Sequence, residues 1–380
     1  MRNAQDTSRQ SPPDFAEAKN SRQKARAAGL DPDRWYAVEY DSAVKKGEVK
    51  EVVFWKSSIA LFRGKDGGLA AVQNRCPHRQ LKLTHGVVDG CHLRCAYHGW
   101  MFNRDGWLID YSHDSFGRPL IKNRLRTYPV RVRYGLIWLF PGDPALAGER
   151  RIPEIPELTG DHPWANFAVD FIWRTHHSMV IDNICDFAHA FLHRKYRPFV
   201  DAKLTHHEAD EDRVYLTYDA YMAAGRFSGI FVDRNRVNTR SIELCYEYPY
   251  QWTNTGDSIK NWSFLLPIDE RTTRVFFLFY FDSVKIPLLS VKTPKWLTQM
   301  VLNVAKPLVF KPILLEDGIA LEAEQQGYEQ HWDAPPIELN PVVPMFQQLT
   351  ARKWEDYLAR AAVSARGGKP GHREIPISGD

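Results

Sequence analysis

No apolar run in this sequence reaches the roughly 18–20 residues that a membrane-crossing helix needs, so no transmembrane segment is expected. The opening stretch, Met1 to about Gly29, has no apolar core and mixes acids (Asp6, Asp14, Glu17) with its bases. It is therefore expected to be neither a secretory leader nor a transit peptide. Cysteine is scarce: five residues, at 76, 91, 95, 185 and 245, an odd number scattered over 380 positions. That excludes a disulfide framework and suits a reducing compartment, the cytoplasm, where thiolates stay free for metal. Net charge is only +4, and no zinc finger, basic helix or RNA-binding sheet motif is present, which argues against a nucleic-acid partner. Internal repeats are absent.

Aromatic residues are plentiful: they make up 13% of the chain, with twelve Trp and sixteen Tyr, and suit aromatic-packed β structure. A chain of 380 residues exceeds one ordinary core, so two domains are expected. Short apolar runs at Val52–Trp55, Ile59–Phe62, Leu69–Val72 and Tyr134–Phe140 predict strands, with Asp66-Gly67-Gly68 as a turn. They place a small all-β module at 35–145, behind a loose tail, 1–34, that has one helical patch. Prolines 141, 144, 153, 156 and 163 mark a linker. A second module, 146–365, has strands at Val214–Tyr218, Ile242–Tyr248, Trp262–Leu266 and Arg274–Phe281, the last two joined by a loop over Pro267–Thr273. Helices are predicted at about 176–195, 294–305, 312–328 and 344–363, with a loose end at 366–380. The class is α+β with an antiparallel sheet.

Two groups of metal-binding residue types stand out. Cys76-Pro77-His78 is followed after sixteen residues by Cys95-Ala96-Tyr97-His98. A [2Fe-2S] cluster with mixed ligands needs thiolates on one iron and neutral imidazoles on the other, and these two pairs supply one of each. Cys91 is a competing thiol without a His three residues on. A closed zinc site uses the same residue types. Zinc pairs usually group like with like, however, so the interleaving of Cys and His favours the cluster. The second group is Asp182, Asp186, His189 and His193, spaced four, three and four, which on one helix share a face. Two histidines and a carboxylate make a facial triad for ferrous iron with open positions for oxygen. His176 and His177 compete as ligands, and a surface helix with ordinary hydrogen-bond partners would show the same residues.

Cys76-Pro77-His78-Arg79 with Cys95-Ala96-Tyr97-His98-Gly99-Trp100 resembles the Rieske motif of the Rieske non-haem iron oxygenases. Asn183-Ile184-Cys185-Asp186-Phe187-Ala188-His189-Ala190-Phe191-Leu192-His193 resembles that family's mononuclear iron motif, and Leu315-Glu316-Asp317-Gly318-Ile319 its downstream carboxylate. The resemblance runs from about Trp35 to Glu329. It implies a β-sandwich Rieske domain and a helix-grip catalytic domain with a curved antiparallel sheet. Cys76, His78, Cys95 and His98 would hold the cluster, and His189, His193 and Asp317 the mononuclear Fe(II). Asn183 would lie near that iron. Asp186 would link His189 to His98 of a neighbouring subunit in a homotrimer. The activity implied is that of a terminal oxygenase acting on a small organic substrate with O2. Its electrons would come from a ferredoxin and/or flavin reductase, with NAD(P)H used only indirectly. A bare electron-transfer protein is the alternative.

The family's usual spacing puts four residues between the two histidines. Here there are three, Ala190, Phe191 and Leu192, and the i,i+4 pair suits a regular helix. Glu316, Glu322 and Glu324 surround Asp317 and read otherwise as a solvated acidic face. Phe187 and Phe191 are expected to help line a pocket with the sheet. Residues 285–312 carry lysines 285, 292, 295, 306 and 311 among apolar residues and no acid; this reads as a helix with its lysines in water, or as a docking surface.

Overall fold

The computed structural model describes residues 11–111, 120–193, 198–222, 239–283, 285–286, 289–335 and 337–366. The chain divides into two compact units, one of residues 31–154 with 266–269 and 362–380, the other of 1–30, 155–265 and 270–361.

The helical patch near the N-terminus is α1, Ser21–Ala27, capped by Asn20, whose side chain accepts from Gln23 N–H. It is not loose: Gln23, Ala25 and Arg26 are buried. The smaller unit is all β. Its strands are β1 (Tyr36–Tyr40), β2 (Val49–Phe54), β3 (Ser57–Arg63), β4 (Leu69–Gln73), β5 (Val87–Asp89), β6 (His92–Arg94), β7 (Met101–Phe102), β8 (Leu108–Asp110), β9 (Thr127–Tyr128), β10 (Val130–Arg133) and β11 (Leu136–Leu139). They form three antiparallel sheets, ordered β1-β11-β10, β2-β3-β4-β9 and β5-β6-β7-β8. Trp55, read from sequence as strand, instead makes the β2–β3 turn with Lys56, both at left-handed φ (44° and 66°), the hand that matches strand twist. Ala60, Phe62, Val72, Leu93 and Phe102 form a buried core that also encloses Cys76 and Cys95.

The larger unit begins with α2 (Pro156–Thr159), inside the stretch read as linker, then β12 (Ala165–Trp173) and α3 (His177–Cys185). Strands β13 (Phe199–Ala209), β14 (Arg213–Met222), β15 (Thr239–Glu247), β16 (Tyr250–Thr255), β17 (Ile259–Asp269) and β18 (Thr272–Phe281) complete a seven-stranded sheet ordered β12-β18-β17-β16-β15-β14-β13. β17 and β18 run further than expected, so the loop between them is only Glu270-Arg271. A short pair, β19 (Lys285–Ile286) and β20 (Leu289–Lys292), precedes α4 (Lys295–Ala305), α5 (Lys311–His331) and α6 (Val343–Arg366).

α4 runs into α5 through one π turn, Lys306–Phe310. Pro307 and Pro312 explain it. Neither has an N–H to donate to the carbonyl four residues back, so the ladder widens and Lys311 N–H bonds Lys306 O instead. Phe310, in that turn, lies 5.0 Å from Phe167 on β12 and 5.3 Å from Phe279 on β18, ring centre to ring centre. This aromatic cluster sets the start of α5, and through it Asp317, against the edge of the sheet.

Candidate metal centres

The first motif lies on two loops that flank β5 and β6. One loop turns at Cys76–Gln80, where Gln80 N–H donates to Cys76 O, and Cys76 N–H donates to Leu81 O. The other turns at Cys95–Gly99, closed by Gly99 N–H to Cys95 O and Cys95 N–H to Trp100 O. Gly99 sits at φ +70°, a backbone region that penalises side chains, which is why glycine ends the turn. Cys76 and Cys95 are buried. The imidazoles of His78 and His98 stand edge to face, 4.4 Å between centres, and Trp100 stacks flat on His78 at 4.8 Å. The two thiols are neighbours, and the amides of His78 and Arg79 point at the Cys76 sulfur. Burial pushes the Cys76 thiol up to about 11, a cost that metal coordination removes by taking the proton off outright. Two adjacent thiols on the inside, two imidazoles on the outside and amides aimed at sulfur fit a [2Fe-2S] cluster of mixed ligands. Cys91 is elsewhere: its sulfur hydrogen-bonds Asp66, beside Arg104.

The second motif is not on one helix. α3 ends at Cys185, Asp186 is extended (φ −104°, ψ 98°), and a 3-10 turn follows over Phe187–Phe191 with a kink at His189. Asp186 causes the break. Its Oδ1 accepts from Ala188 N–H at 2.8 Å, so it caps the second turn rather than continuing the first, a common use of aspartate. The shared face expected of Asp182, Asp186, His189 and His193 therefore does not exist. Asp182 is instead buried, its Oδ2 accepting from Arg26 and Gln347, both at 2.8 Å. His193 lies beyond the 3-10 turn, so the three-residue spacing does not act through a regular helix.

The histidines nevertheless converge. One ligand atom from each of His189, His193 and Asp317 falls within 4.8 Å of the others, and this is the one such trio of His, Cys, Asp or Glu among the described residues. Nε2 of His189 and of His193 lie 3.6 Å and 3.5 Å from Asp317 Oδ1. Those distances are too long for hydrogen bonds, and that oxygen is buried without a hydrogen-bond partner. An orphaned carboxylate oxygen facing two imidazole nitrogens is what a bound cation satisfies, so the residues fit a 2-His-1-carboxylate iron. Burial raises the Asp317 carboxyl to about 6, against the pull of His193 and a hydrogen bond from Asn183. Burial, then His193, lowers His189 to about 4, which keeps it neutral and able to ligate.

Residues overlooked in the sequence complete the site. Glu316 accepts from His193 Nδ1–H at 3.0 Å. Asn340 donates to Asp186 Oδ1 at 2.9 Å and bonds the Tyr218 hydroxyl at 3.0 Å. Phe199 stands edge-on to both histidines, 5.5 Å and 5.8 Å between centres. The acids around Asp317 are not merely solvated: Glu322 accepts from Arg174 N–H and Glu324 pairs with Arg26. Phe191, expected to line a pocket, is 86% exposed, whereas Phe187 packs on Phe199 and Tyr218. His176 and His177 are excluded as ligands: both are buried, on Ser178 Oγ and Ala28 O respectively.

Residues 34–128 match the family model of the Rieske [2Fe-2S] domain, and residues 173–361 that of the vanillate O-demethylase oxygenase C-terminal domain. A 4beta-methylsterol monooxygenase of Methylococcus capsulatus is 43% identical over 351 residues, 92% of this chain and 95% of that protein. The oxygenase component of dicamba O-demethylase from Stenotrophomonas maltophilia is 32% identical over 170 residues, 42% of this chain and 47% of that protein. A crystal structure of dicamba monooxygenase bound to 3,6 dichlorosalicylic acid superposes with a TM-score of 0.70 at 20% identity, covering 88% of this chain and 99% of that one, a likeness of fold.

Proposed function

The chain belongs to the Rieske non-haem iron oxygenases, and from that premise we propose that it oxidises a methyl group on a sterol-like polycyclic lipid. It is a terminal oxygenase with a Rieske [2Fe-2S] cluster and a mononuclear non-haem iron. The observation that carries the assignment is the convergence of His189, His193 and Asp317 in a chain that also has the Cys76/His78 and Cys95/His98 loops. A bare electron carrier would leave the trio and its orphaned oxygen without a role. When bound, the cluster supplies electrons one at a time and the ferrous iron supplies oxygen activation.

In this reading Cys76 and Cys95 hold one cluster iron, His78 and His98 the other, and His189, His193 and Asp317 hold the mononuclear iron. Glu316 fixes the His193 tautomer with Nε2 toward the metal, and Asn183 orients Asp317. Asp186 is the bridge to the partner subunit's His98. Its Oδ1 is taken by Ala188 and Asn340, its Oδ2 has no partner among the described residues, and it is half-buried. His78 is exposed and Tyr97 beside His98 is 57% exposed, so the imidazole side of the cluster loops is open to a neighbouring chain. A homotrimer follows from this reading, as do electrons from NAD(P)H by way of a ferredoxin and/or flavin reductase. Five free cysteines support the cytoplasm.

The substrate class rests on the methylsterol enzyme, whose likeness extends over nearly the whole of both chains, whereas that of the dicamba enzyme covers less than half of each. Phe187 and Phe199 supply aromatic walls beside the histidines, suited to an apolar ring system. Turnover of a 4-methylsterol with NADH, a ferredoxin, its reductase and 18O2 tests it. Label in an oxidised C4 methyl group is expected. Oxygen uptake with a methoxy-aromatic acid but none with the sterol would overturn the substrate and leave the family untouched.

A further inference from the structure

Most helices on a protein surface turn their polar side to water, but α4 does not. Its inner face, Thr298, Leu302 and Ala305, is buried and packs toward β12. Its outer face shows Trp296 (65% exposed), Met300 (58%) and Val304 (62%), and Leu308 (64%) follows in the π turn. The spacing is four each time, so these side chains form one stripe that drifts slowly around the axis over roughly 18 Å. The same continuous helix then exposes Leu315 and Ile319, which flank the metal-site residue Asp317. A contiguous exposed apolar strip marks an interaction surface.

The charges beside the strip say what covers it. Lys295, Lys306 and Lys311 are the only charged residues between Lys295 and Leu315, and no Asp or Glu occurs there. Lys295 and Lys311 are exposed. Lys306 is held below the usual lysine value by burial and by Lys311, with Asp170 pulling the other way. A two-fold contact with a second copy of this face would set lysine against lysine across the interface. A helix with Trp, Met, Val and Leu on one side and flanking lysines has the composition of one that lies in a bilayer interface. It does not cross: no helix among the described residues is long and apolar enough for that.

We propose that the outer face of α4 and the following π turn dock on an anionic phospholipid bilayer, with Trp296, Met300, Val304 and Leu308 entering the headgroup–acyl boundary and Lys295, Lys306 and Lys311 pairing with lipid phosphates. The surface stands on its own geometry and charge, so it does not depend on the sterol reading. If both hold, docking sets the helix that carries Asp317 at the membrane where such a substrate resides.

The test is co-sedimentation of the full-length holoenzyme with phosphatidylcholine vesicles, with and without phosphatidylglycerol. Binding to the anionic vesicles is expected, and weaker binding as salt rises. Trp296→Ser with Met300→Ser and Leu308→Ser should cut it at least roughly tenfold, and Lys295→Glu with Lys311→Glu by a comparable factor. Both variants should keep the wild-type cluster absorbance and mass by light scattering, since all the side chains changed are exposed. Wild-type protein that leaves both kinds of vesicle unbound overturns the proposal, as do variants that bind like wild type. A serine variant whose assembly mass falls, with no wild-type vesicle binding, would assign the face to subunit contact instead.

Discussion

At the scale of single residues, Glu316, Asn183 and Asn340 do the positioning, and each acts through a neighbour. Glu316 on His193 Nδ1 leaves Nε2 as the nitrogen turned toward Asp317, 3.5 Å away. Asn340 and the Ala188 amide hold Asp186 by Oδ1. Asp186→Asn keeps an acceptor at that atom and replaces the Oδ2 carboxylate oxygen with a neutral amide donor. Iron and sulfide content should be unchanged while turnover with the full electron-transfer system falls by roughly 10- to 100-fold, the usual cost of losing such a partner. Metal analysis beside steady-state rates checks it, and near-normal turnover would rule out the bridge. Gly318 is a second case. Exchanging a helical glycine for alanine ordinarily stabilises by about 1 kcal/mol. Here the new Cβ would clash with Trp173 Nε1 and meet its ring carbons at 2.7–2.9 Å. Trp173 is buried and cannot swing away. Gly318→Ala is therefore expected to destabilise by ~1–3 kcal/mol and to weaken iron retention next door at Asp317; a chemical denaturation midpoint at or above that of wild type would contradict this.

At the scale of elements, the break between α3 and the 3-10 turn decides the site. A continuous helix would have turned Asp182 to the same side as the histidines. Instead Asp182 reaches Arg26 of α1, with Ser178 and Glu324 on the same guanidinium. α1, α3 and α5 are thus joined by one ionic network, buried at Arg26 and Asp182 and half-exposed at Glu324. Just beside it, His177 Nε2–H donates to Ala28 O at 2.7 Å, and burial, with Arg26 nearby, lowers it to about 3. The unfolded chain takes a proton near the ordinary histidine value of about 6.5 and the folded chain does not. Stability from this group is therefore complete above about pH 6.5 and lost as pH falls toward 3, at roughly 1.4 kcal/mol per pH unit. His176, also lowered by burial, adds in the same sense. Urea melts between pH 7 and 5 should show a shallower loss for His177→Gln than for wild type; parallel curves would contradict it.

These elements also show what the sequence could tell. The four candidate cluster residues were legible because each pair sits within one short loop, where spacing alone sets geometry. The sheet and the helices after it were legible from their periodicity, apart from ends such as the tight Glu270-Arg271 turn. Asp317 was legible by motif, and its burial against two imidazoles now gives it a physical basis. Glu316 was lost among other acids, since its partner His193 is 123 residues away. Asn340 is 154 residues from Asp186, and Arg26 lies 156 from Asp182 in a stretch read as loose. Such pairs leave no local pattern. Asp182, Asp186, His189 and His193 share no face for a different reason: spacing assumes an unbroken helix, and the capping Asp186 breaks it.

At the scale of the molecule, one chain brings together a β unit with four Cys/His residues on two loops and a sheet-and-helix unit with a His/His/Asp trio. Both are read as metal sites. Iron and acid-labile sulfide per chain on anaerobically purified protein, with low-temperature EPR after reduction, measures this directly, with His189→Ala in parallel. About three irons and two sulfides with a Rieske-type signal are expected, falling to about two irons with the signal intact in the variant. About two irons in wild type even after ferrous iron is restored would contradict the account, because the His189, His193 and Asp317 trio would then hold no metal.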